Sequence, residues 1–175
     1  DGARYIYVER EPLDVLVSYF HFYSAYLGFE GSLDDFYRRF MDGRLQYGSW
    51  FEHVAGWRAH ASDPDVMIIR YEDLLRDRKG SIERMVEFLG WEGDERWIDR
   101  AVIESSFDAM KRRESVFDHA TALLLERGVQ PQSFLRSGRS GRGAGELTDA
   151  QARQIRERDA TGRRLAIRGL AAFLQ

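Results

Sequence analysis

Two short apolar runs, Tyr5-Ile6-Tyr7-Val8 and Val66-Met67-Ile68-Ile69, constrain the fold of this chain more than any other feature. Each is bounded by charged residues and continuous rather than alternating, the pattern of a strand buried on both faces. Helical patterns separate them, so the expected arrangement is an α/β layer with parallel pairing. Two strands do not by themselves make a sheet buried on both faces. The first begins at residue 5 with nothing ahead of it to cover its edge. The chain is therefore expected to be the C-terminal part of a larger α/β domain.

The segments between and after the strands carry helix signals. Pro12 stands where a helix starts, and Leu13 to Leu27 continues it to a stop near Gly28. Ser32-Leu33-Asp34-Asp35 resembles a capping box, opening a helix that stops near Gly43, and Ser49-Trp50-Phe51-Glu52 is a better one, opening a helix to about Ala61. Tyr71 to Arg78, Lys79 to Leu89, Asp94 to Glu104 and Ser106 to Lys111 follow as helices, with Gly90 stopping the second. From Glu114 to Gly145 the pattern dissolves into a long loop with Pro131 and glycines near its end. Loops of that length in compact domains are functional lids or disordered segments, and ordering on ligand binding is expected here. Thr148-Asp149-Ala150-Gln151 caps a helix to about Asp159, and Arg163 to Leu174 forms a last one.

Composition narrows the function classes. At 175 residues and 43% apolar, the chain has material for one domain, or most of one, with a real core. Its longest apolar run falls far short of the roughly 20 residues of a membrane span, so a soluble protein is expected. No signal peptide is visible. The absence of cysteine excludes disulfides, thiolate zinc sites and a Cys nucleophile, and the absence of asparagine excludes N-glycosylation. Only Lys79 and Lys111 are lysines among 26 basic residues, a bias that suggests a GC-rich bacterial genome. Arg136 to Arg168 holds nine Arg against four acids, a local +5, which leaves −8 on the rest of a chain whose total is −3. A duplex nucleic-acid binder shows a broad basic face, whereas one basic, glycine-rich segment suits a small anionic ligand.

Two segments could hold such a ligand. The first is the strand-to-helix junction Tyr7-Val8-Glu9-Arg10-Glu11-Pro12-Leu13-Asp14. Ligands of open parallel sheets sit outside the carboxyl ends of the strands, and a helix N-terminus there offers free N–H groups to an anion. Arg10 stands at that edge with a fork suited to phosphate oxygens; the plainer alternative is a surface arginine paired with Glu9 or Asp14. The second is Phe134-Leu135-Arg136-Ser137-Gly138-Arg139-Ser140-Gly141, where glycines let the backbone approach an anion and arginines add charge. Its alternative is a flexible linker. His21, His53, His60 and His119 show no metal-ligand spacing, so no metal is expected.

The first of these segments, extended through Val15-Leu16-Val17-Ser18-Tyr19-Phe20-His21-Phe22-Tyr23, closely resembles the cytosolic-type sulfotransferases, which use 3′-phosphoadenosine-5′-phosphosulfate. Further matches follow in the family's order: Tyr47-Gly48-Ser49-Trp50-Phe51 with His53-Val54, Tyr71-Glu72-Asp73, Ser105-Ser106-Phe107, and Phe134-Leu135-Arg136-Ser137-Gly138 with Gly141. The resemblance implies a P-loop-like parallel sheet flanked by helices, with the whole chain, 1–175, as the C-terminal segment of one sulfotransferase domain. It implies transfer of a sulfuryl group to a hydroxyl or amine of a small-molecule acceptor, in the cytoplasm, without metal, nucleic acid or membrane.

By the same resemblance Arg10 and Ser18 match the pair holding the 3′-phosphate, Tyr71 the tyrosine on the adenine side, and Ser105 and Phe107 the pair contacting adenine. Arg136, Ser137 and Gly138 match the segment closing over the 3′-phosphate, and Phe22 an acceptor-pocket aromatic. There are departures. Ser137 stands where the family has Lys, and Arg139 could substitute. Arg142-Gly143-Ala144 replaces the family's Asp-Trp-Lys. The dimer motif is reduced to Ala144, Thr148-Asp149 and Arg153, which puts a dimer of that type in doubt. The family's phosphosulfate loop, catalytic Lys and general-base His lie upstream of Arg10, so no catalytic residue is assigned here and the chain alone is expected to be inactive. The alternative reading is a truncated, non-catalytic module binding 3′-phosphonucleotides or a partner. A nucleotide kinase of the same fold superfamily is disfavoured by the Arg10/Ser18 and Arg136/Gly138 pairs.

Overall fold

The computed structural model describes residues 2–117, 126, 135 and 138–173. Two strands, β1 (Tyr5–Glu9) and β2 (Val66–Arg70), pair in parallel, with Tyr5 opposite Val66 and Glu9 opposite Arg70. The connection between them runs through α1 (Pro12–Tyr26), α2 (Leu33–Met41) and α3 (Trp50–Ala59). After β2 come α4 (Tyr71–Arg76), α5 (Arg78–Leu89), α6 (Glu95–Glu104), α7 (Phe107–Arg112) and α8 (Glu114–Phe117), then α9 (Gly143–Glu146) and α10 (Asp149–Phe173). The α/β layer with parallel pairing is as expected.

The strands are not buried on both faces. Tyr5 and Val8 are about half exposed, at 49% and 46%, while Glu9 at the end of β1 is buried. Among the described residues β1 pairs with β2 alone, and Tyr5 and Tyr7 pack against Trp57 of α3.

Most helix ends follow their caps. Ser32 accepts from the Asp35 N–H (3.1 Å) and the Asp35 carboxylate accepts from the Ser32 N–H (3.0 Å), a complete capping box. Ser49 makes only one half, accepting from the Glu52 N–H at 3.3 Å, so the box expected to be the better is the weaker. Asp77, Asp94 and Ser106 cap α5, α6 and α7 in the same one-sided manner.

Two expectations change. Residues 114–117 and 143–146 are helical, so the long segment has helices at both ends, while most of what lies between is outside the described residues. The two expected C-terminal helices are one, α10, continuous through Gly162. A Cβ on Gly162 would stand 3.8 Å from Ala55 Cβ and 3.9 Å from the Phe51 carbonyl oxygen, ordinary contact distances, so α10 passes beside α3 here with room for a side chain's first carbon.

The core lies where α1, α2, α3 and α10 meet: Leu13, Leu16, Phe36, Phe40, Val54 and Ile155 are all essentially inaccessible. Burying side chains of this size stabilises by about 1.5–3 kcal/mol each. α1 is thereby fixed along its inner face, which holds its N-terminal turn in place at the end of β1. Among the described residues no helix is long and apolar enough to cross a membrane, and no cluster of three or more His, Asp or Glu could hold a metal ion.

Candidate functional site

The site begins where the two strands end. Glu9, the last residue of β1, receives both arms of Arg58, from Nε at 3.0 Å and Nη2 at 2.6 Å. Arg58 Nη1 also donates to Asp159 at 2.7 Å, and Arg163 donates to Asp159 at 3.1 Å and to Glu9 at 3.4 Å. This buried network ties β1 to α3 and α10, so the chain leaves the sheet at Arg10 on a rigid base. Burial lowers the tendency of the Arg58 guanidinium to stay charged, but its bonds to Glu9 and Asp159 outweigh it and hold the proton more tightly than usual. Because Glu9 faces Arg70 across the sheet, the next residues of both strands emerge side by side. The Arg10 guanidinium lies 4.7 Å from the centre of the Tyr71 ring. Glu72 accepts the Glu11 N–H at 3.0 Å, joining the first turn of α4 to the entry of α1.

A third segment closes the corner. Asp14, in the first turn of α1 and 3% exposed, accepts from Ser140 Oγ (2.8 Å), the Gly141 N–H (2.7 Å) and the Gly143 N–H (2.7 Å). Burial alone would raise the Asp14 pKa; the bonds from Gly143, Gly141 and Ser140, with Arg10 nearby at 3.8 Å, prevail and lower it. Gly143 is required here, since a Cβ on it would come within 2.4 Å of the Leu13 backbone.

The result is a small cleft of about 90 Å³ bordered by Arg10, Asp14, Ser18, Tyr71, Gly138 and Arg142, among others. Arg10 Nε is buried and has no hydrogen-bond partner among the described residues. An orphaned donor of that kind costs about 1–3 kcal/mol unless something supplies an acceptor, and an anion's oxygen would. The residues present therefore fit an anionic group held between the end of β1, α1 and the glycine segment.

Of the residues singled out in the sequence, Arg10, Ser18, Tyr71 and Gly138 share this cleft. Phe107 reaches it through Gly138: at φ +59° that glycine lies so close that a Cβ would stand 2.3 Å from the Phe107 ring. Ser105 does not border the cleft; its hydroxyl donates to the Val102 carbonyl at 3.4 Å, at the end of α6. Arg136 and Ser137 lie outside the described residues.

Phe22 lines a second, larger and open cleft of about 1280 Å³, with Tyr26, Leu45, Trp50, His53 and Lys111. The two clefts share Arg10, Ser18 and Arg142, so a ligand in one abuts a ligand in the other. His21 also borders the larger cleft, its Nε2 paired with Glu146 at 3.1 Å. Sequence reasoning missed Asp14 as the anchor of the glycine segment, treating it only as a neutraliser of Arg10. Nothing local marks a contact between residues 126 or more positions apart.

These features are a small cleft fit for an anionic group at the carboxyl edge of a parallel pair of strands, flanked by a larger cleft with aromatic residues in its lining. The family model described as "Sulfotransferase domain" matches residues 1–160, and the chain belongs to the sulfotransferase family. It is 33% identical over 156 residues to sulfotransferase 1C2 of Rattus norvegicus, covering 86% of this chain and 51% of that protein. To sulfotransferase 2B1 of Mus musculus it is 37% identical over 152 residues, covering 85% and 44%. The chain thus spans about half the length of the curated relatives it matches. Among solved structures it resembles mouse sulfotransferase SULT7A1 complexed with PAP, at TM-score 0.77 and 26% identity, over 98% of this chain and 63% of that one. Retinol dehydratase in complex with androsterone and inactive cofactor PAP superposes at TM-score 0.74 and 26% identity, over 91% and 47%.

Proposed function

We propose that this chain is the C-terminal segment of a sulfotransferase domain and forms the 3′-phosphate and adenine side of a site for 3′-phosphoadenosine-5′-phosphosulfate. The observation that carries the reading is the small cleft in which Arg10, Ser18, Tyr71 and Gly138 converge, with the buried Arg10 Nε lacking an acceptor. The PAP complexes of two structural neighbours support it. Arg10 would hold the 3′-phosphate through its fork, with Ser18 donating from the next turns of α1 and the Gly138 segment covering it. Tyr71 and Phe107 would flank the adenine side, and Arg136 and Ser137 belong to the same covering segment by their place in the sequence. When bound, the cosubstrate supplies the sulfuryl group that passes to the acceptor.

The larger cleft, with Phe22 on its wall, would take a small-molecule acceptor bearing a hydroxyl or amine. Its aromatic lining suits an apolar body, in keeping with the androsterone bound to a structural neighbour. No residue of this chain is assigned an acid–base role. The chain alone is expected to bind 3′,5′-diphosphoadenosine without transferring sulfuryl groups. A cytoplasmic location completes the reading, and the reduced dimer motif leaves a dimer of the family's type in doubt.

Calorimetric titration of the chain with 3′,5′-diphosphoadenosine and with ATP tests it. The 3′-phosphorylated nucleotide is expected to bind at least about tenfold more tightly, the equivalent of one charge-assisted hydrogen bond. Equal affinities, or a preference for ATP, would overturn the reading in favour of a general nucleotide pocket.

A further inference from the structure

An acid at the edge of an anion pocket is a contradiction unless its charge is spent elsewhere. Asp14 borders the small cleft, is 3% exposed, and spends both carboxylate oxygens on the glycine-rich segment. Oδ2 accepts from Ser140 Oγ and the Gly141 N–H, and Oδ1 accepts from the Gly143 N–H. Gly143 is the first residue of α9, and Arg142 ahead of it gives no side-chain cap, so the cap comes from a different helix. The packing agrees with the hydrogen bonds, because Gly143 lies flat against the Leu13 backbone where no side chain fits.

We infer that Asp14 is a positioning residue. It docks the glycine segment 138–143 onto the first turn of α1 before any ligand arrives, and so sets the place of the Gly138 backbone and of Arg142 relative to Arg10. The inference rests on the proposed 3′-phosphate site for its functional consequence, although the docking itself does not. A carboxylate is needed for this task. Two backbone N–H groups and one hydroxyl converge on two oxygens, and an amide offers only one oxygen with a donor in place of the other. In Asp14→Asn the side-chain NH₂ must face either the Gly141 or the Gly143 N–H, a donor against a donor. Charge-assisted bonds are the stronger kind, and their loss frees the segment while leaving the apolar packing of α1 intact.

The test uses Asp14→Asn and, as a control for a loss of stability alone, Tyr37→Phe, which removes the Tyr37 hydroxyl's bond to Gln154 between α2 and α10. Amide hydrogen exchange at Gly141 and Gly143 in nucleotide-free protein is expected to quicken by about tenfold or more in Asp14→Asn and to stay unchanged in Tyr37→Phe. Affinity for 3′,5′-diphosphoadenosine is expected to fall by about 10- to 100-fold in Asp14→Asn, with affinity for adenosine 5′-monophosphate changed less than about twofold. A merely structural role would weaken both nucleotides alike and would be matched by Tyr37→Phe; that result overturns the inference. Unchanged exchange at Gly141 and Gly143 overturns it as well. If wild type prefers neither nucleotide, the proposed function fails while the exchange data still decide the docking.

Discussion

At the residue scale, three glycines of one segment differ in what they are for. A Cβ at Gly138 would collide with the Phe107 ring at 2.3 Å, and its φ of +59° adds the left-handed penalty of about 1–2 kcal/mol for any L-residue. Gly143 would collide with backbone, which has nowhere to go. Gly145, inside α9, meets nothing within 4 Å. Gly138→Ala and Gly143→Ala are therefore each expected to destabilise the chain by at least about 1 kcal/mol in urea denaturation, whereas Gly145→Ala should be neutral or slightly stabilising. A Gly143→Ala protein as stable as wild type would contradict the close approach to Leu13. The Asp14 carboxyl, held below its ordinary value of 3.8, has a pH signature of its own. A carboxyl with a lowered folded pKa contributes stability above its unfolded pKa and loses it as the pH falls through the folded one. The stability gap between wild type and Asp14→Asn should be constant near neutral pH and close below about pH 3.8, because protonated Asp14 resembles the amide. A gap that persists in acid would show that ionised Asp14 is not what binds the segment.

At the element scale, the decisive connection is Arg58 of α3 between Glu9 of β1 and Asp159 of α10. All three side chains are close to 10% exposed, so removing the cation leaves two buried carboxylates with only the partly exposed Arg163 to balance them. Arg58→Ala is expected to cost about 3–5 kcal/mol in urea denaturation, the range for breaking a buried pair by removing one partner. A loss below about 1 kcal/mol would place the network among ordinary surface pairs. Most helices were legible in the sequence because their ends are local: a Ser or Asp that accepts from an N–H two or three residues ahead announces itself within four residues. The parallel strands were legible from their apolar runs. Asp159 and Arg163 were read as the end of one helix and the start of the next. Both have distant partners, Asp159 in Arg58 and Arg163 in Glu9, and no local pattern carries that information.

At the scale of the whole molecule, the site exists because the carboxyl ends of β1 and β2 bring Arg10 and Tyr71 together, and Asp14 draws in the segment around Gly138. The order of motifs along the chain made this grouping readable from sequence, but which members border the cleft was not: Phe107 arrives through its contact with Gly138, and Ser105 turns to its own helix. Local charge follows the same division, with residues 140–143 of the basic stretch held against Asp14 in a chain whose remainder is acidic. The proposed recognition of a 3′-phosphate by Arg10 is isolated by a thermodynamic cycle between that side chain and that phosphate. Affinities of wild type and Arg10→Ala are measured by calorimetry for 3′,5′-diphosphoadenosine and for adenosine 5′-phosphosulfate, which lacks the 3′-phosphate. A loss of about 10- to 100-fold is expected for the first nucleotide and less than about twofold for the second. Equal losses for both would contradict that recognition, placing Arg10 against another part of the ligand or outside the site.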